Sequence, residues 1–136
     1  MAKKLTDIEG IGPTYGAKLA EAGVKSQEEL LTAGSTPKGR SDLEKTTGIS
    51  GKLVLKWINR ADLARVKGIG EEYADLLELA GVDTVPALAQ RNPEHLHKTL
   101  TEVAEARKNT VRRTPAASEV AAWVAAAKEL PRVITY

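Results

Sequence analysis

The sequence contains no cysteine and no phenylalanine, and aromatic residues make up only 4% of it. Without cysteine the chain cannot form disulfides, thiolate zinc sites or cysteine-ligated clusters. With so few aromatic residues, its core has to be built mainly from Leu, Ile, Val and Ala. Long apolar runs are missing as well, so we expect neither a membrane-spanning helix nor a signal peptide, and we predict a cytoplasmic protein.

The chain also lacks a large excess of charge of either sign, since its formal net charge is only +2. A value this small does not by itself indicate a nucleic-acid partner. The distribution of charge is uneven, since residues 1–65 carry 11 basic and 8 acidic side chains whereas residues 66–136 carry 9 and 10. If one half of the chain contacts an anionic polymer, we therefore expect it to be the first half.

The chain does contain an internal repeat, built on a Gly-Ile-Gly motif. The motif occurs at residues 10–12 and 68–70, and both copies continue to an Ala-Gly-Val sequence, at residues 22–24 and 80–82. Two glycines around one apolar residue favour a tight hairpin, because glycine adopts positive φ without a steric clash. A helix is predicted directly afterwards, since glycine is an acceptable N-cap and Pro13 suits a first helical position.

Helical periodicity and capping signals predict an all-α protein of eight or nine short helices. We expect two tandem units packed together, residues 1–65 and 66–136. Each unit ends in a helix that carries one tryptophan, Trp57 or Trp123, and we expect both to anchor a core. A short tail is predicted after the last helix, at residues 132–136.

The two units differ where the first has a further, looser hairpin. Residues 35–39 are predicted to be a loop and residues 41–47 a short helix, which leads through Gly48-Ile49-Ser50 into a helix from residue 51 to about 66. In the second unit a basic run at residues 107–114 replaces this hairpin, which is therefore degenerate. That run is either a contact for nucleic acid or an acidic partner, or simply a charged loop.

One face of the helix that begins at residue 51 is basic. Lys52, Lys56 and Arg60 follow one another at intervals of four residues. A solvated helix face is favoured over a track of phosphate contacts.

The order of hairpins and helices resembles the double helix-hairpin-helix domains of RecA-type recombinases and of the RNA polymerase α subunit. The first unit matches that pattern from Ile8 to Ala61, and the second matches it through about Leu100. The whole chain, with residues 59–63 at the junction, is similar to a bacterial family of unknown function, DUF4332. These resemblances imply the fold, and they imply a function only by analogy.

Helix-hairpin-helix modules bind DNA phosphates with hairpin amides and with the N-terminus of the next helix, where N–H groups lack internal partners and favour an anion. The resemblance therefore implies three sets of phosphate-binding residues. They are Gly10, Ile11, Gly12, Thr14 and Lys18 at hairpin A (residues 10–12), Gly48, Ile49, Ser50 and Lys52 at hairpin B (48–50), and Gly68, Ile69 and Gly70 at hairpin C (68–70). Some hairpins of this type also hold a monovalent cation; no other cofactor or metal is expected.

The leading functional hypothesis is weak, sequence-nonspecific DNA-backbone binding through the first unit. Thr14 and Lys18 follow hairpin A, whereas Glu71 and Glu72 follow hairpin C, where carboxylates repel a phosphate. The alternative is a protein-interaction adaptor with purely structural hairpins, and salt dependence separates the two.

No set of side chains suggests catalysis. His95 and His97 are two positions apart, so on a helix they point to different faces and make a poor metal pair. We expect no enzyme, no small-molecule substrate and no membrane partner.

Overall fold

The structure, a computed structural model, describes residues 3–8, 10–107 and 113–135. Within these ranges the protein is all-α, as predicted, with eight α-helices, one 3-10 turn and no strand. After the 3-10 turn at Leu5–Asp7 come α1 (Pro13–Glu21), α2 (Gln27–Ala33), α3 (Pro37–Thr47), α4 (Gly51–Leu63), α5 (Glu71–Leu79), α6 (Val85–Ala89), α7 (Pro93–Ala106) and α8 (Ala117–Glu129). None of these helices has the length and apolar character needed to cross a bilayer.

The chain divides into two compact units. The first holds the described residues up to Asp62 together with those from Val133 onward, and the second runs from Leu63 to Arg132. Each unit has its own aliphatic core with one tryptophan in it. The first core includes Ile11, Leu19, Leu30, Ile49, Val54, Trp57 and Ile58, and the second includes Ile69, Leu76, Leu77, Leu88, Leu100, Val120, Trp123 and Val124.

Side-chain caps fix the starts of five helices, because each cap supplies an acceptor for an otherwise unpaired first-turn N–H. These caps are Ser26 for α2, Thr36 for α3, Ser50 for α4, Thr84 for α6 and Asn92 for α7. The prediction of a loop at residues 35–39 is wrong for this reason. Thr36 Oγ1 accepts from the N–H of Gly39 at 3.0 Å, and Pro37 takes the first helical position, where a missing N–H costs nothing.

The helix that carries Trp57 corrects two further predictions. It ends at Leu63 rather than near residue 66. Lys52 and Lys56 are exposed, but Arg60 is only 8% exposed, so the predicted solvated face does not extend to it. At about 100° per residue, eight positions rotate Arg60 roughly 80° around the helix from Lys52. The aliphatic part of an arginine can then lie along apolar surface.

Residues 133–135, which fall within the short tail predicted at residues 132–136, are part of the first unit. Ile134 is 3% exposed and belongs to the first core. The N–H of Thr135 donates to the carbonyl oxygen of Ser35 at 2.7 Å. Arg40 donates to the carbonyl oxygen of Thr135, also at 2.7 Å. The first unit is therefore completed by residues that lie far beyond it in the sequence.

Candidate nucleic-acid interface

Hairpin A is a tight turn that buries its middle residue and exposes its two glycines. Gly10 has φ of +95°, a conformation that favours glycine. Ile11 is 2% exposed in the first core, and its N–H donates to the carbonyl oxygen of Ile8 at 3.1 Å. Gly12 then takes an extended conformation as the N-cap of α1. The backbone around Gly10 and Gly12 is thus exposed to solvent, and the burial of Ile11 in the first core fixes its position.

The N-terminus of α1 is open to solvent. Gly12 has no side chain with which to cap it, and no acidic residue lies in its first turn. Thr14 and Lys18 are exposed on this helix. The Lys18 ammonium lies 5.9 Å from the centroid of the Tyr15 ring, within the range of a cation–π contact. Thr14 therefore lies in the first turn of α1 beside hairpin A, whereas Lys18 lies one turn beyond Thr14, in the last turn of the helix.

Trp57 supports hairpin A from α4. Its ring lies 5.2 Å from that of Tyr15, centroid to centroid, with the planes inclined at 57°. A Cβ added to Gly10 would lie 3.3 Å from Trp57 Nε1. Glycine is consequently favoured at position 10 for two reasons, the positive φ and the close approach of the indole.

Hairpin C repeats this arrangement in the second unit. Gly68 has φ of +93° and Ile69 is 3% exposed. The rings of Tyr73 and Trp123 lie 5.1 Å apart at 52°. A Cβ added to Gly68 would lie 3.0 Å from Trp123 Nε1. Gly70 caps α5 without a side chain, as Gly12 caps α1.

The exposed surroundings of hairpin C are different. Glu71 and Glu72 occupy the first turn of α5 and are exposed. The hydroxyl of Tyr73 donates to the carbonyl oxygen of Arg113 at 3.1 Å. The side chain of Arg113 forms an ion pair of 2.7 Å with Glu119 near the start of α8. This basic residue of the predicted 107–114 run is therefore engaged by a carboxylate, and Lys108 to Arg112 lie outside the described residues.

Glu119 is held ionised by its neighbours. Hydrogen bonds from the Arg113 guanidinium, and then from the backbone N–H of Ala116, lower the pKa of the Glu119 carboxyl from 4.5 to about 2. The Ala116 bond is 3.0 Å long and gives α8 a capping interaction that its alanine N-cap lacks.

Hairpin B is already occupied by the protein's own polar groups. Gly48 ends α3 with φ of +73°, and Ile49 is 2% exposed. The hydroxyl of Thr47 accepts from the N–H of Ile49, and that of Ser50 accepts from the N–H of Lys52, each at 3.2 Å. Both of these backbone donors therefore have an acceptor within the protein.

A carboxylate that the sequence analysis missed lies beside hairpin B, at the start of α4. The Glu44 side chain approaches Gly51, the first residue of α4, so closely that a Cβ there would collide with its Oε2. Glu44 is on α3 and Gly51 lies beyond the turn, so helical spacing gives no signal of this contact. Of the three candidate helix starts, only that of α1 has neither a side-chain cap nor an acidic neighbour among the described residues of its first turn.

Among the residues that the structure describes, no three His, Asp or Glu side chains converge as metal ligands would. A protein-family model, described as a domain of unknown function (DUF4332), matches residues 9–130. That match extends over all three hairpins and the greater part of both units. No curated protein and no solved structure matches the chain.

Proposed function

The chain belongs to the DUF4332 family, a domain of unknown function, and we propose that it is a non-enzymatic module that binds the DNA backbone without sequence preference. In this proposal its fold is a tandem of helix-hairpin-helix units. The first turn of α1, directly after hairpin A, binds a phosphate, and Thr14 and Lys18 add a hydroxyl and an ammonium. The N–H of Ile11 does not take part, because it already donates to the carbonyl oxygen of Ile8. Hairpins B and C are mainly structural.

The observation that carries the proposal is the exposed, uncapped start of α1. Five other helices have a side-chain oxygen on a first-turn N–H. At α1 the cap is Gly12, which leaves such N–H groups without a side-chain acceptor. Groups of this kind are satisfied by water or by an anion, and the helix dipole favours the anion. An exposed lysine one turn further on, Lys18, adds positive charge.

Magnitudes favour hairpin A over hairpin C. A helix N-terminus contributes about 0.3–1 kcal/mol toward a nearby anion. A carboxylate within about 4 Å of that anion opposes it by about 1 kcal/mol even in water, and by more near a protein surface. Glu71 and Glu72 together therefore outweigh the dipole of α5, whereas the first turn of α1 holds no acidic residue.

The test is a titration of fluorescently labelled duplexes of two unrelated sequences, followed by anisotropy. If one or two phosphates are neutralised, affinity should fall roughly three- to twelve-fold between about 50 and 200 mM salt. The two duplexes should bind equally well. If neither binds at low salt, the proposal fails and the adaptor hypothesis gains support.

A pair of charge reversals locates the site. Lys18→Glu should weaken duplex binding at low salt, because it replaces an exposed positive charge one turn beyond Thr14 with a negative one. Lys98→Glu changes the net charge by the same amount on an exposed position of α7, and it should have a much smaller effect. Equal losses in both variants would indicate a diffuse charge effect rather than a site at hairpin A.

A further inference from the structure

Residues 133–135 fill a groove in the first unit, and their contacts define a site for a short non-helical segment. Ile134 is 3% exposed within the first core, and Val133 packs partly against the same core. The N–H of Thr135 donates to the carbonyl oxygen of Ser35 at 2.7 Å, and the Thr135 hydroxyl donates to the same oxygen at 3.2 Å. The segment is thus held through one apolar side chain and through its main chain.

Arg40 forms the other side of the groove. Its Nη1 donates to the carbonyl oxygen of Gly34 at 2.8 Å, and its Nη2 donates to that of Thr135 at 2.7 Å. A planar guanidinium presents several donors in fixed geometry, so one side chain can join two carbonyl groups. Arg40 therefore connects the end of α2 with the C-terminal segment.

Each of these contacts is specific for the segment, and none of them requires the segment to belong to the same chain. Its covalent connection to α8 consists of residues 130–132, which are not helical. We propose that residues 133–135 exchange between two copies of the protein, so that each copy's segment fills the other's groove in a reciprocal dimer. The occupant is a second copy because this chain's own segment is the ligand that the groove is shown to fit.

The protein concentration at which exchange occurs can be estimated, because the monomer and the exchanged dimer contain the same contacts. Both states make the same contacts at the groove, so the balance depends on how strongly the tether favours the segment of the same chain. A short flexible linker gives an effective concentration in the millimolar range. This connection is more restrained, because the carbonyl oxygen of Pro131 accepts a hydrogen bond from Arg65 at 3.0 Å. We therefore expect monomers at micromolar concentrations and exchange only at about 1 mM and above.

The complete absence of cysteine from the chain permits a clean cross-linking test. One batch of full-length protein carries Ser35→Cys and another carries Thr135→Cys; the two are mixed at about 1 mM under mild oxidation. A disulfide-linked heterodimer should form several-fold faster than in a control mixture of Lys98→Cys with Thr135→Cys. Equal rates in the two mixtures would overturn the proposal.

Two further variants separate exchange from random collision. Adding Ile134→Asp to the Thr135→Cys copy should reduce the rate to that of the control mixture, because an aspartate cannot enter the core. If this copy does not fold by circular dichroism, Arg40→Ala in the Ser35→Cys copy replaces it and should slow cross-linking as well. Heterodimer formation that is unchanged by the folded variant would also overturn the proposal.

Discussion

Hairpins A and C have nearly the same backbone but differ in the charge at the start of the helix that follows. The φ angles of Gly10 and Gly68 are +95° and +93°. The N-cap glycines that follow have φ and ψ of −88° and −173° in one case and −92° and −169° in the other. Yet α1 begins with no acidic residue and α5 begins with two. The repeat therefore preserves a scaffold and varies what that scaffold presents to solvent.

The positions that carry the same side chain in both units are the ones that pack in the cores. Each unit places a tyrosine against a tryptophan at nearly equal distances, 5.2 and 5.1 Å. In contrast, Lys18 is exposed on α1, whereas Leu76 at the equivalent position of α5 is fully buried. A shared fold in two units of one chain is thus no argument for a shared function.

The largest effect that we predict is the loss of either tryptophan. Trp57→Ala and Trp123→Ala should each lower the free energy of unfolding by about 3–5 kcal/mol, since each removes a buried ring together with its tyrosine contact. Urea denaturation followed by circular dichroism measures this. Leu79→Ala, at a position 43% exposed, should stay within about 0.5 kcal/mol of wild type. An unchanged midpoint for one tryptophan variant would break the equivalence of the units.

The next largest effect concerns the glycines that contact the indoles. Gly10→Ala and Gly68→Ala should each cost about 1–2 kcal/mol for the positive φ alone. Crowding adds to this, more at Gly68, where the Cβ would lie 3.0 Å from the indole nitrogen, than at Gly10, where it would lie at 3.3 Å.

Two other glycines provide matched controls for that prediction. Gly23 and Gly81 have φ of +87° and +89° with open space where a Cβ would lie. Their alanine variants should therefore lose stability through the backbone alone. If all four variants are equally destabilised, the indoles do not restrict the hairpins, and the tighter contact at hairpin C has no energetic consequence.

A smaller effect is expected from exchanging charge between the units. The double variant Glu71→Lys, Glu72→Lys should strengthen duplex binding by roughly 1 kcal/mol, or a factor of about five. Position 67 already carries a lysine, whereas Glu9 stands at the equivalent position before hairpin A. Glu9→Lys should accordingly strengthen binding at hairpin A, measured in the same anisotropy titration. Binding that responds to Glu9 but not to Lys18 would place the contact before the glycines rather than after them.

The smallest effect that we predict is a pH dependence specific to the second unit. The folded-state pKa of Glu119 is about 2, below its ordinary 4.5. Its interactions therefore stabilise the fold fully above pH 4.5, and this contribution is lost as the pH falls toward 2. The stability difference between wild type and Glu119→Gln should shrink over that interval. An NMR titration of the Glu119 carboxyl with a midpoint near 4.5 would contradict the ion pair with Arg113.

Local signals in the sequence were sufficient for the existence of the helices, for the tight turns at the Gly-Ile-Gly motifs and for the buried tryptophans, but not for every helix boundary. Positive φ at Gly10 and Gly68 follows from the Gly-Ile-Gly motif, and the burial of Trp57 and Trp123 follows from helical periodicity. The start of α3 was not predicted, although its signal is local. Thr36 followed by Pro37 is a favourable helix start, but the sequence analysis assigned residues 35–39 to a loop. The phosphate-binding role of the candidate residues stays a prediction.

Contacts between residues distant in sequence could not be predicted. Nothing in the pattern of residues 132–136 indicates that Ile134 lies in the first core or that Arg40 binds the carbonyl of Thr135. The burial of Arg60 and the approach of Glu44 to Gly51 likewise depend on how elements pack. Periodicity within one helix carries no information about such neighbours.

Because residues 133–135 belong to the first unit, the two units are completed in a fixed order during synthesis. A ribosome completes all of α1 to α4 before it begins the second unit, yet Ile134 emerges only after about 70 further residues. At roughly 5–20 residues per second, this takes about 4–14 s. The second unit is continuous in sequence and can fold as soon as it is released. Of these two units, the one whose synthesis begins first is therefore completed second, and its core lacks Ile134 until the second unit has been made.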